Sequence, residues 1–304
     1  MSNQRVLVLG ASGMLGSAVS VEISRMLPDF ELLLSARDRN KLAQVLPKLS
    51  GQPTIIDFEL PSSASVGGTL SQLPPVNWIV NAIGITKPFI NDVDGSSIER
   101  AIWINSMLPY FLDEWAHQHG AKVIQIATDC VYSGKSGAYR ESSPHDALDV
   151  YGKTKSLGEP YGKATYLIRN SIIGPELVGG CYLLGWFLSQ PQGATLKGFT
   201  NHLWNGVTTI SFGKVCAGIM RNNLVLERLT HLVPAAPVTK FELLNIFAKY
   251  YRRTDLKIEA SQAGEDVDRT LSTDHPQASQ LLWSNAGYAE PPTIESMVEE
   301  MAAW

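Results

Sequence analysis

The chain has 304 residues, 44% hydrophobic and 18% charged, about two domains at roughly 150 residues each and far too apolar for a disordered protein. Its 25 Lys plus Arg against 29 Asp plus Glu leave a net charge of -4. A protein that grips nucleic acid by neutralising phosphates needs the opposite balance, so no nucleic-acid partner is expected. In chain order, Val6 to Leu9 is a continuous apolar run that stops at Gly10, as a buried parallel strand does. Met14 to Met26 carries Leu15, Val19, Ile23 and Met26 at helical spacing. Leu32 to Leu34 predicts a second strand, and Asp38 to Leu46 a second helix with Leu42 and Val45 inward. Strands follow at Thr54 to Ile56 and Asn77 to Val80, then a long helix with Ile98, Ile102, Leu108, Phe111 and Leu112, then a strand at Val123 to Ala127. Such alternation implies right-handed crossovers and a doubly wound parallel α/β sheet covered on both faces.

Beyond about residue 170 the alternation loosens. Pro175, Gly179-Gly180 and Pro191-Gln192-Gly193 break the chain into loops and short helices. Leu229 to Val233 reads as a strand and Lys240 to Tyr251 as an amphipathic helix. The expected division is a nucleotide-binding domain over 1–170 and a smaller, discontinuous α/β substrate lobe over 171–304, parts of which rejoin the main sheet. Cys130, Cys181 and Cys216 are odd in number and form no CxxC pair, against a disulfide framework or zinc site. His117 and His119, two apart on a helix, do not share a face, so no metal is expected. The apolar run Cys181 to Leu188 is about eight residues against the roughly 20 that span a bilayer. Met1 to Arg5 is too short for the charged and apolar parts of a signal peptide. The expectation is a cytoplasmic protein without membrane contact.

Gly10-Ala11-Ser12-Gly13-Met14-Leu15-Gly16 links the first strand to the first helix. Gly10 permits the turn, Gly13 the approach of a pyrophosphate, and Gly16 close packing of helix on sheet. Free N–H groups and the positive helix end favour phosphate there, so a Rossmann-type dinucleotide site is expected. An acidic residue ending the second strand would hydrogen-bond both ribose hydroxyls and repel a 2′-phosphate. The chain instead reads Ser35-Ala36-Arg37-Asp38-Arg39. An arginine fork suits phosphate, so NADP is favoured over NAD. The alternative leaves Arg37 solvated and gives the ribose to Asp38.

Tyr151 and Lys155, four apart, share a helix face behind Asp149. A phenol with an ordinary pKa near 10 needs a neighbouring ammonium to work near neutral pH. Thr128 ends the preceding strand at the ligand edge of the sheet, where its hydroxyl can reach a substrate carbonyl beside Tyr151. The fourth strand ends in Asn81-Ala82-Ile83-Gly84-Ile85-Thr86, small enough for a nicotinamide ribose to lie close.

With Asp57-Phe58, Asn81-Ala82, Thr128-Asp129-x-Val131-Tyr132-x-Gly134 and Tyr151-Gly152-Lys153-Thr154-Lys155, the glycine motif resembles the extended short-chain dehydrogenase/reductases. Within them it is most similar, over residues 1–175, to the dTDP-4-dehydrorhamnose reductases. That resemblance implies catalytic roles for Thr128, Tyr151 and Lys155, places Asp57 and Phe58 beside the adenine, and makes Asn105 the support of the lysine. It implies NADPH-dependent reduction of a nucleotide-activated 4-keto-6-deoxy sugar, with a homodimer common. Departures fall where the sugar is implied to bind. Ala127 replaces a serine, Cys130-Val131-Tyr132 replaces Tyr-Val-Phe, Asn170-Ser171-Ile172-Ile173 lacks Thr-Ser-Trp, and 201–209 lacks Gly-x-Pro-Thr. Thr86, Ser171, Trp204 and Asn205 are the candidate sugar contacts. Asp266, Asp268 and Arg269 are either a phosphate contact or a surface ion cluster. Two rivals share the scaffold: a nucleotide-sugar epimerase or dehydratase, and a non-enzymatic NADP-binding regulator similar to the beta subunit of methionine adenosyltransferase.

Overall fold

In the computed structural model, which describes residues 4–58, 60, 70 and 72–304, a parallel sheet carries the molecule. Its first strands are β1 (Arg5–Leu9), β2 (Glu31–Ser35), β3 (Thr54–Ile56), β4 (Trp78–Asn81), β5 (Lys122–Thr128) and β6 (Thr165–Asn170). Short strands follow: β7 (Ile172–Ile173), β8 (Thr195–Phe199), β9 (His202–Trp204) and β10 (Val207–Thr208). Then come β11 (Leu229–His231), β12 (Val238–Thr239), β13 (Lys257–Ser261) and β14 (Val267–Asp268). The main sheet runs β11-β6-β5-β4-β1-β2-β3. Its order reverses at β1, and the crevice beyond the carboxyl ends of β1 and β4 is where such sheets take ligands. This is the doubly wound architecture that the strand–helix alternation predicts.

Both faces of the sheet are covered, which is why its strands are apolar throughout rather than alternating. Val6, Val8, Leu34, Val80, Ile124 and Ile168 turn one way, towards α1 (Met14–Met26). Leu7, Leu9, Leu33, Ile79 and Val123 turn the other way. The helix Asp38 to Leu46 proves shorter: α2 (Arg39–Ala43) gives way to a tight turn at Leu46–Lys48 that holds Pro47. A proline there cannot continue the hydrogen-bond ladder. The long helix is α3 (Gly95–Ile102) joined by a π-helical turn, Trp103–Met107, to α4 (Leu108–His119). Leu108, Leu112 and Trp115 of α4 cover the Leu7 face.

The second half contains α5 (Val150–Leu157), α6 (Leu183–Leu188), α7 (Thr209–Arg221), α8 (Lys240–Tyr250), α9 (Pro276–Asn285) and α10 (Ile294–Ala303). β11 joins the main sheet beside β6, pairing Leu229 with Leu167, while Ile210, Phe212 and Val215 of α7 enter the core shared with α1. Segments outside the main sheet pair as β12-β9-β14, β13-β8 and β10-β7. No helix among the described residues is long and apolar enough to cross a membrane.

Candidate active site

Gly10 adopts a left-handed conformation, φ +77°, which glycine enters without a Cβ clash. A Cβ on Gly16 would lie 2.2 Å from the Gly10 carbonyl oxygen, so helix and turn can meet only because that residue is glycine. Gly13 caps α1 without a side chain, and the first turn of the helix has no acidic residue. Half-buried Ser12 completes the turn, and Gly13, Met14 and Leu15 line the adjoining cleft. Uncapped N–H groups at a positive helix end fit a diphosphate.

At the end of β2, Ser35 is buried and its carbonyl accepts from the Ala11 N–H at 2.9 Å. Asp38 caps α2, accepting from the N–H groups of Asn40 and Lys41 at 3.0 Å each. That engagement disfavours Asp38 as the ribose ligand. Arg37 is exposed with no partner among the described residues. Asp57 is an exposed ion-pair partner of Arg39. Phe58 is buried in the core beside Leu7 and Leu9. Asn81 serves the scaffold: its amide donates to Gln125 Oε1 at 2.7 Å and its oxygen accepts from the Ile83 N–H at 3.1 Å, shaping the Ala82-Ile83 turn.

A cleft of about 350 Å³ opens beside this turn. Thr128, Tyr151 and Lys155 line it together, with Ala82, Ile83 and Thr86 opposite. Asp149 starts α5 by accepting from the Gly152 N–H at 2.8 Å and pairs with Lys87 at 2.8 Å. Thr128 accepts from the Cys130 N–H at 3.2 Å. The resemblance expects Asn105 to support the lysine; among the described residues its side chain instead bonds Ile85 and Thr154, the latter on the lysine's own helix. From the π-helical turn its oxygen accepts from the Ile85 N–H at 2.9 Å, while its amide donates to the Ile85 carbonyl at 2.9 Å and to Thr154 Oγ1 at 3.2 Å. Asn105 therefore fixes the cleft wall against α5.

The Lys155 ammonium donates to the Ile126 carbonyl at 3.1 Å, and burial holds its pKa down to about 8, partly opposed by Glu159. Burial pushes the Tyr151 phenol above its ordinary value; Cys130 adds to the shift and the Thr128 hydroxyl opposes it. The net lowering of the phenol that the sequence predicts is not seen, because burial outweighs the contacts that oppose it. The site presents a protonated phenol beside a hydroxyl. Cys130 is no nucleophile, since burial first and Asp129 second push its thiol up to about 12.

Residues 4–173, more than half of the chain, match the RmlD substrate binding domain family. The chain belongs to that family. Among curated relatives of this RmlD substrate binding domain protein, Bacillus subtilis spore coat polysaccharide biosynthesis protein SpsK is 28% identical over 158 residues, 51% of this chain and 47% of that one. The methionine adenosyltransferase 2 subunit beta of Xenopus tropicalis is 29% identical over 156 residues, 51% and 42% of the two chains. The match spans about half the length of these curated relatives. Among solved structures, Bacillus anthracis dTDP-4-dehydrorhamnose reductase in complex with NADP aligns at TM-score 0.70 over 98% of both chains, with 15% identity. A Bacillus cereus UDP-glucuronic acid 4-epimerase in complex with UDP-glucuronic acid and NAD gives TM-score 0.73 over 99% of this chain and 98% of that one, also at 15% identity. At those identities the likeness is one of fold.

In this RmlD substrate binding domain protein the second-half candidates are mostly structural. Trp204 lies in β9; it is 6% exposed and donates to Ser171 Oγ at 2.9 Å. Asn205 is buried and exchanges two hydrogen bonds with the Leu271 backbone, at 2.7 and 2.9 Å. Neither side chain is among those lining the cleft, whereas Ser171 is. Arg269 donates to the carbonyls of Tyr132 and Ser133, so it pins the loop after β5 instead of forming a surface ion cluster. Asp268 accepts from Thr270, and Asp266 from the Asn201 amide. Two cleft residues carried no sequence signal as contacts. Tyr182 bonds Thr86 at 2.8 Å across 96 positions. Asn170 stood out only as a departure from the reductase pattern.

Proposed function

We propose that this protein is an NADPH-dependent reductase of a nucleotide-activated 4-keto-6-deoxy sugar. The supporting observation is the convergence of Thr128, Tyr151 and Lys155 on one cleft that also receives the uncapped start of α1. NADPH, as bound in the Bacillus anthracis reductase, would supply the hydride. The turn at Gly10, Ser12, Gly13, Met14, Leu15 and Gly16 would hold its diphosphate, and Arg37 its 2′-phosphate. Tyr151 stays protonated because burial disfavours its phenolate, and it donates that proton to the oxygen of the reduced ketone. Thr128 orients the same oxygen by a hydrogen bond. The Lys155 ammonium, which meets the Ile126 carbonyl in this structure, would turn to the ribose hydroxyls of bound cofactor and balance charge as the phenol gives up its proton.

Thr86 and Ser171 are the sugar contacts that remain from the sequence reading. An epimerase or dehydratase would retain NAD through its cycle; the Arg37 guanidinium, exposed and without a partner among the described residues, favours a phosphorylated cofactor that exchanges. Arg37→Ala tests this. It should weaken NADPH binding by one to two decades, the value of a charge-assisted hydrogen bond of about 1.5–3 kcal/mol, and leave NADH nearly unchanged. Equal losses for both cofactors in a calorimetric titration would remove Arg37 from the site.

A further inference from the structure

Asn170 ends β6 with its side chain 1% exposed, and neither Oδ1 nor Nδ2 has a hydrogen-bond partner among the described residues. Buried amides are nearly always paired, and one left open at a functional cleft signals a group that arrives with the ligand. Asn170 is one of the residues lining the cleft.

Position narrows the choice of partner. Along β6 side chains alternate. Arg169 turns to the α5 side, where both Glu159 oxygens accept from it at 2.7 Å. Asn170 therefore takes the opposite side with Ile168, the side occupied by α1. The proposed cofactor enters on that side, whereas Tyr151 faces the cleft from α5. β6 stands three strands from β1, roughly 14 Å at about 4.8 Å per strand pair. A diphosphate at the start of α1 is too distant, and the pyridine end of the dinucleotide is the part that extends this far.

An asparagine amide offers donors on one atom and an acceptor on the other. A primary carboxamide returns the complementary set, so one planar pair satisfies both orphan atoms. We infer that Asn170 recognises the carboxamide of the cofactor's pyridine ring and so fixes which ring face meets the substrate; this rests on the cofactor reading above.

Titration calorimetry with three probes tests the inference: NADP+, its 3-acetylpyridine analogue, which replaces the carboxamide NH2 by methyl, and 2′-phospho-ADP-ribose, which lacks the ring. The native protein should bind NADP+ about tenfold more tightly than the analogue. Asn170→Ala should bind the two alike, and bind 2′-phospho-ADP-ribose as the native protein does. Asn170→Leu keeps nearly the same shape and loses both donor and acceptor, and the same pattern is expected of it should the alanine variant not fold. Native protein that binds both dinucleotides equally would overturn the inference, as would variants that lose the ring-free fragment as severely as NADP+. Folded native protein that binds 2′-phospho-ADP-ribose but shows no gain from the pyridine ring would refute the carboxamide contact alone. Failure to bind any of the three would refute the cofactor reading with it.

Discussion

Lys155 carries its charge into a cleft where the Ile126 carbonyl is its hydrogen-bond acceptor. Its pKa is about 8 in the folded protein against an ordinary 10.5. The folded state then binds fewer protons than the unfolded state between those values, so stability rises with pH across that window. Below about pH 8 the buried charge costs on the order of 3 kcal/mol. Lys155→Met should therefore raise the melting temperature at pH 7 by roughly 5 °C and lose that advantage by about pH 10.5. A methionine variant that melts lower at pH 7 would mean that the ammonium stabilises the fold. Trp204 tells the opposite story. Its burial and its bond to Ser171 predict that Trp204→Ala costs about 3–5 kcal/mol in a denaturant titration. An unchanged midpoint with selective loss of sugar binding would restore its role as a contact. Tyr151 and Lys155 were legible because helical spacing places them on one face. The isolation of Asn170 was not, since an unmet hydrogen bond depends on everything that surrounds it.

At the scale of elements, the glycine turn separates folding from binding. A Cβ on Gly16 would overlap the Gly10 carbonyl at 2.2 Å, whereas one on Gly13 meets nothing nearer than that oxygen at 3.3 Å. Gly16→Ala should thus destabilise the protein by about 1–3 kcal/mol or more. Gly13→Ala should melt nearly normally yet bind NADPH at least tenfold more weakly, because its methyl group stands where the diphosphate approaches. Equal melting of the two variants would contradict this assignment. The strand–turn–helix unit itself was readable, since apolar run, glycines and helical period follow one another locally. The π-helical turn was not. Apolar spacing continues through Trp103–Met107, and the insertion makes sense only once Asn105 is seen bonding Ile85.

For the whole molecule, the parallel, doubly wound character of the central sheet followed from alternation and handedness, but the pairing of the second half did not. Its pairings join distant segments, Leu196 with Ile258 and His202 with Val267, and no local period records such partners. Trp204 is consequently a buried strand residue where the sequence reading expects a sugar contact. The cleft joins a phosphate cradle to a protonated phenol, and the carbonyl reduction proposed above would use both. Steady-state NADPH oxidation, followed optically against dTDP-, GDP- and CDP-linked 4-keto-6-deoxy sugars, tests that claim most directly. Native protein should turn over at least one of them, and Tyr151→Phe should lose roughly 10²–10⁴ in turnover while binding NADPH nearly as before. Native protein that oxidises NADPH with none of these sugars, yet binds a second protein only when NADP is present, would contradict the account and identify a dinucleotide-dependent regulator.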